Sequence, residues 1–284
     1  MIGFGVRNLK VFFKDKSAVF FSLLAVFIII GLYALFLGEV WVNSFVDMSG
    51  VRYLMDSWIM AGLLAVTSVT TTMGAFGIMV EDKSKKITKD FIASPIKNSS
   101  IVSGYIFSAV IIGIIMSIIT TVLAEIYVVA NGGNLMDIVT LSKVMGMIVL
   151  ATITNTSLVL YMVSFFRSSN AFATASTIIG TMIGFLTGIY LPIGNLPDGV
   201  QWVVKCFPVS HAAVLFRQVM MEAPLAKTFA DAPAEAIAEF NEMMGVTFKF
   251  GDTVISPLIS ILILIVTAVI FYGLAILNLS RKSK

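Results

Sequence analysis

Residues 101–123 read IVSGYIFSAVIIGIIMSIITTVL, without a single charge. A helix needs about 20 apolar residues to cross a hydrocarbon core of about 30 Å. Lipid offers the backbone no hydrogen-bond partners, so a run of this kind must satisfy its own peptide groups by coiling into a helix. Five further runs share this character: 18–38, 58–80, 144–166, 171–191 and 255–277. The composition agrees, with 58% hydrophobic and 12% charged residues, against about 45–50% and about 25% in soluble domains. The reading is an all-α integral membrane protein of six transmembrane helices, one transmembrane domain over 1–284. The run 18–38 follows a basic start, as a signal peptide would. It is too long for a typical h-region, and Gly38-Glu39-Val40-Trp41 does not read as a cleavage site, so it stays as a span.

Lys and Arg choose the side of each connection. Arg7, Lys10, Lys14 and Lys16 precede the first span, and Lys83, Lys85, Lys86, Lys89 and Lys97 lie between the second and third. Arg167 lies between the fourth and fifth, and Arg281, Lys282 and Lys284 follow the sixth. With six spans these all fall on one face, which predicts N-terminus in and C-terminus in. Most acids fall opposite, among them Glu39, Asp56, Asp137, Glu222 and Glu242.

The segments between spans carry their own patterns. Residues 3–16 read as a short interfacial amphipathic helix, with Val6, Leu9 and Phe13 on one side and Arg7, Lys10 and Lys14 on the other. The loop 81–100 holds about two helical turns before Pro95, with Ile87, Phe91 and Ile92 sharing a face. It reads either as a dock for a cytosolic partner or as a solvated loop on the membrane surface. The outer segment 192–254 begins too apolar for a free loop and reads as short helices dipping into the outer leaflet, broken by Pro192, Pro197 and Pro208. Further on, Pro233 opens a helix carrying Ile237, Phe240 and Met244 on one side, Gly245 ends it, and 246–250 reads as a short strand.

Within the spans the polar and small residues stand out. Thr67, Ser68, Thr70, Thr71 and Thr72 enrich the second, and Asn155 sits mid-way along the fourth. Asn155 must bond another helix or line a polar cavity. Gly180, Gly184 and Gly188, four apart in the fifth span, suggest a groove for close helix approach. Glu125 falls near the outer end of the third span, where interfacial solvation is available.

Several chemistries lack their residues. There is no Gly-x-x-x-x-Gly-Lys-Ser/Thr loop for nucleotide, no His-Glu-x-x-His pair, no run of intramembrane carboxylates and no arginine-rich span. The single cysteine, Cys206, and single histidine, His211, make neither a disulfide nor a metal site. Neither catalytic residues nor a cofactor are expected in this chain, nor a nucleic-acid partner. Energy for uphill transport would come from another polypeptide. The alternative is a passive channel or secondary transporter, for which Asn155 is the best polar group. A membrane-embedded enzyme would have only His211, Glu222 and nearby residues to work with.

Three local patterns resemble the type-2 class of ABC transporter permeases, a family of bacterial exporters. They are the entry helix 3–16, the loop from Glu81 to Ser94-Pro95-Ile96, and the sequence Gly188-Ile189-Tyr190-Leu191-Pro192 followed by Leu196-Pro197 and Phe207-Pro208. Where the family often has Gly-Thr in the loop, this chain has Lys86-Ile87-Thr88. The resemblance implies an exporter subunit in the bacterial cytoplasmic membrane, paired with a second permease copy. It implies a cytosolic ATPase subunit that holds the ATP and Mg. It makes 81–98 the coupling helix, with Glu81, Asp82, Lys85, Ile87, Phe91, Ile92 and Pro95 at the ATPase contact. It sets spans two and five along the route, with Thr67, Thr71, Asn155, Gly180, Gly184 and Gly188 as pathway or packing residues. An amphipathic cargo (peptide antibiotic, drug, lipid or glycan) suits so apolar a set of spans.

Overall fold

The computed structural model describes residues 2–43, 49–94 and 96–282. Those residues fold as a helical bundle. Five helices are long and apolar enough to cross a membrane, and up to seven spans result if two bent pairs each count as one. The five are α5 (Val51–Ser84), α7 (Asn98–Ala130), α8 (Ile138–Val163), α9 (Ser169–Leu186) and α14 (Pro257–Lys282). The chain is thus an all-α, multi-pass membrane protein.

Helix α5 is the axis of the bundle. Its 34 residues extend about 51 Å at 1.5 Å per residue, longer than a hydrocarbon core. Helices α7, α8, α9 and α11 (Pro208–Met220) all pack against it. Between membrane helices lipid supplies no hydrophobic driving force, so small residues and close van der Waals contact hold them together. The sequence provides for this: a Cβ on Gly113 would stand 2.6 Å from the Thr152 methyl and 3.4 Å from the Thr72 hydroxyl, so α7, α8 and α5 meet at minimal separation. Hydroxyls on α5 return their hydrogen bonds to their own helix, Thr67 to Leu63 O at 2.8 Å and Thr71 to Thr67 O at 2.7 Å. They can therefore sit in an apolar core without an unpaired donor.

The first expected span, 18–38, is not one rod. It is α2 (Lys16–Ser22), then α3 (Leu24–Leu32), a wide π turn at Tyr33–Leu37, and α4 (Gly38–Asn43), with a 42° bend at Leu23. The reason is local. Asp15 Oδ1 caps α2 by accepting from Ala18 N–H, and the Ser22 hydroxyl donates to Val19 O at 2.8 Å, a back-bond that bends helices.

The fifth expected span, 171–191, also needs correcting. Helix α9 stops at Leu186 with Gly188 at φ +67°. Ile189 N–H donates to Gly184 O and Gly188 N–H to Phe185 O, the paired bonds of a Schellman cap. The three-glycine groove does not exist as read. Gly188 lies beyond the helix end, and Gly184 is covered by the Tyr190 ring. Only Gly180 opens onto free space.

The segment after α9 contains α10 (Asp198–Cys206) and α11, which meet at 86° with Pro208 in the first turn of α11. Helix α11 is buried from Val209 to Arg217 and packs on α5, α8 and α14. Then come α12 (Glu222–Thr228), α13 (Ala234–Met243, following Pro233), Gly245 at φ +64°, and a two-residue hairpin pairing β1 (Lys249–Phe250) with β2 (Thr253–Val254). Phe240 and Met244 are buried, on the side that the spacing predicts.

Candidate functional site

The expected loop forms a short helix, α6 (Ile87–Ala93), at the end of α5. Lys86, between them, has φ +62°, the one positive-φ non-glycine among the described residues. This backbone region favours glycine. Lys86 holds that turn with a full side chain.

An aromatic and charged cluster braces α6. Helix α1 (Ile2–Lys14) lies across the start of α7, with a face of Gly5, Asn8 and Phe12 buried. A Cβ on Gly104 would stand 2.7 Å from the Phe4 ring, so glycine is what admits α1 here. Arg7 on α1 grips Asp82 near the end of α5, with Nη1 to Oδ2 at 2.6 Å and Nη2 to Oδ1 at 3.1 Å. The Tyr105 hydroxyl of α7 donates to the same carboxylate at 2.6 Å. The Arg7 guanidinium also lies 5.3 Å from the Phe91 ring centre of α6 and 5.8 Å from Phe4. Phe4 meets Phe91 and Tyr105 edge-on, each at 5.0 Å. Four elements thus share one buried carboxylate and one cation. The bond to Asp82 raises the Arg7 pKa above its ordinary value, so this cation stays charged.

Of the expected contact residues, Asp82 and Phe91 belong to this cluster. Glu81 and Lys85 form an exposed i,i+4 ion pair beside it, and Ile87 is half-buried at the start of α6. Pro95 and the side chain of Ile92 lie outside the described residues. Sequence reading missed Arg7 as a positioning residue, together with Phe4, Asn8 and Tyr105. One signal was present: Arg7 is the only arginine among the first four cations, and its planar fork suits a carboxylate as lysine does not.

Inside the bundle, Asn155 Nδ2 of α8 donates to the Ser68 hydroxyl of α5 at 2.7 Å. It also borders a cavity of about 180 Å³ between α5, α8, α9 and the start of α11, otherwise walled by apolar groups such as Met73, Ile183 and Phe207. Thr67 and Thr71 are fully buried between helices. Helix α9 carries a stripe of exposed hydroxyls, Thr174, Thr177 and Thr181, at spacings of three and four.

Toward the other end, Arg52 ties α4, α5 and α7 together, bonding Glu39 at 2.7 Å, Asp56 at 3.1 Å and Asn131 at 2.7 Å. Glu125 accepts from Met136 N–H at 2.9 Å. His211 is held between Lys205 O and the Ser260 hydroxyl, while Glu222 pairs with Lys143 on the surface, so the two do not form one site. Among the described residues no group of three His, Cys, Asp or Glu is placed to hold a metal.

Fold and site together define a membrane-embedded helical protein that displays a short charged helix at one end, braced on its longest span. Comparison with known families then places it: the chain belongs to the ABC-2 family transporter proteins, whose family description matches residues 42–277. It is a permease of the ABC-2 type, the membrane component of a transporter and not itself the catalytic one. No curated protein matches the chain in sequence.

Proposed function

We propose that the chain is the permease of an ATP-driven exporter, coupled through α6 to a separate cytosolic ATPase that carries ATP and Mg. The observation that carries this reading is the cluster of Arg7, Asp82, Tyr105, Phe4 and Phe91. A seven-residue helix alone is too short to be stable or stiff. Here Phe91 anchors it to Asp82 on the longest span through Arg7, while Asp90 remains exposed for a partner. A push on α6 would reach α5 without being absorbed in a loose loop.

In this reading the α1 and α6 end faces the cytosol, following the cation bias. The first bent pair counts as a span and α10–α11 as a re-entrant hairpin, which makes six spans with both termini inside. The exposed side of α9 receives a second permease copy, and its hydroxyl stripe lines the route for an amphipathic cargo. Helix α1, with Ile2, Val6 and Phe13 exposed, rests in the acyl boundary of the bacterial cytoplasmic membrane.

The test is recovery of the tagged permease from its native membrane. The wild type should bring down a P-loop ATPase, and Arg7→Ala and Phe91→Ala should reduce its yield while the permease still folds. Recovery of no ATPase, or of one whose binding survives deletion of 83–93, would overturn the reading.

A further inference from the structure

A second feature sits beside α6. A cavity of about 490 Å³ opens between α5, α6, the start of α7, the α8–α9 turn and the end of α14. Lys83, Lys89 and Arg167 line it, brought from three separate segments, and among the described residues no carboxylate lines it. The nearby Asp82 is engaged by Arg7 and Tyr105. The Thr88 hydroxyl, also on the lining, is buried and has no hydrogen-bond partner among the described residues. Helix α7 starts here, and its N-cap residue, Lys97, supplies no side-chain cap. The positive end of a 33-residue helix dipole therefore adds to the three cations. Lys89, Arg167, the Thr88 hydroxyl and the start of α7 together favour a negatively charged oxygen ligand.

We infer that this cavity binds the headgroup of an anionic phospholipid. Charge alone would suit any phosphate, and the apolar part of the lining narrows the choice. Phe166 and Leu279 form part of the wall. Met79, Ile101 and Val102 continue that wall along α5 and α7, an apolar surface on which an acyl chain can lie. A free phosphate would use the cations and leave this wall bare. Basic pockets between membrane helices are suited to such headgroups, and each cation near the membrane surface contributes about fivefold in affinity. A lipid held here touches α5, α6 and α14 at once, so it would also stiffen the short helix from the side opposite Phe91.

The experiment uses the full chain in detergent, titrated with phosphatidylglycerol, with phosphatidylcholine and with inorganic phosphate, and read by native mass spectrometry. Phosphatidylglycerol should bind in preference to phosphatidylcholine, and inorganic phosphate should not displace it. Lys89→Gln and Arg167→Gln, both exposed side chains, should each weaken phosphatidylglycerol binding about fivefold and leave phosphatidylcholine unchanged. Lys227→Gln, on α12 away from the cavity, should have no effect. Equal binding of the two lipids, equal loss in all three variants, or displacement by inorganic phosphate would each overturn the inference. A thermal melt of each variant separates lost binding from lost folding. No ATPase enters the measurement, so its failure leaves the transport reading standing.

Discussion

Helices α5 and α9 carry similar residues and meet different surroundings. Both are apolar runs interrupted by threonines and glycines. In α5, 83% of the most apolar stretch is buried within the bundle, and in α9 only 17%. Both sets of threonine hydroxyls bond back to their own helix, so local chemistry is the same. What differs is the far side of each side chain: neighbouring helices for Thr67 and Thr71, and an open surface for Thr177 and Thr181. A hydroxyl-rich helix can therefore be the packed axis of a permease or its unpartnered edge, and the same motif serves either.

That contrast can be tested from its largest consequence downward. The first is all or none. In a Cys206→Ser background, Thr177→Cys should cross-link two copies of the chain in native membranes, and Thr71→Cys should not. Cross-linking at Thr71, or none along α9, would move the second copy elsewhere. The next is large to small truncation. Trp58 on α5 is fully buried, donates to Met244 O at 2.7 Å and lies under the Arg217 guanidinium at 4.7 Å. Trp58→Ala should cost about 3–5 kcal/mol, read as a drop in unfolding temperature in detergent. Phe185→Ala on α9, an exposed ring, should cost under about 1 kcal/mol.

Overpacking gives a smaller difference. Thr71→Leu has no room between helices and should destabilise by about 1–3 kcal/mol, whereas Thr177→Leu should stay within about 0.5 kcal/mol in denaturation of the solubilised single chain. The smallest contrast lies within one glycine stripe. A methyl on Gly184 meets the Tyr190 ring, which can swing outward, so Gly184→Ala should cost about 1 kcal/mol. Gly180→Ala meets nothing and should gain up to about 1 kcal/mol from helix propensity. Equal effects at the two positions would mean that Tyr190 does not cover Gly184.

The candidate site was legible in part. Asp82 and Phe91 were picked out by the resemblance of the loop, and Phe91 also by sharing a face with Ile87 and Ile92. Arg7 and Tyr105 did not, since they lie 75 residues before and 23 residues after Asp82, and no local periodicity links such distant positions. Asn155 was read correctly as needing a partner, because an amide deep in a span has few other options. Its partner, Ser68, was one of several hydroxyls on α5 and could not be picked from spacing. The glycine stripe misled because a four-residue repeat implies a helical face only while the helix continues, and Gly188 is where α9 stops. The break at Leu23 was hidden by uniform hydropathy on both sides of it.

From residues alone the helical, membrane-embedded character follows, as does the gathering of cationic connectors at one end, because lipid penalises both unpaired backbone and bare charge whatever the fold. The tertiary arrangement alone decides which apolar helix becomes the axis, which hydroxyls remain accessible, and which arginine meets Asp82. Those outcomes depend on packing between segments far apart in the chain, and one apolar surface fits several partners until the whole bundle selects among them.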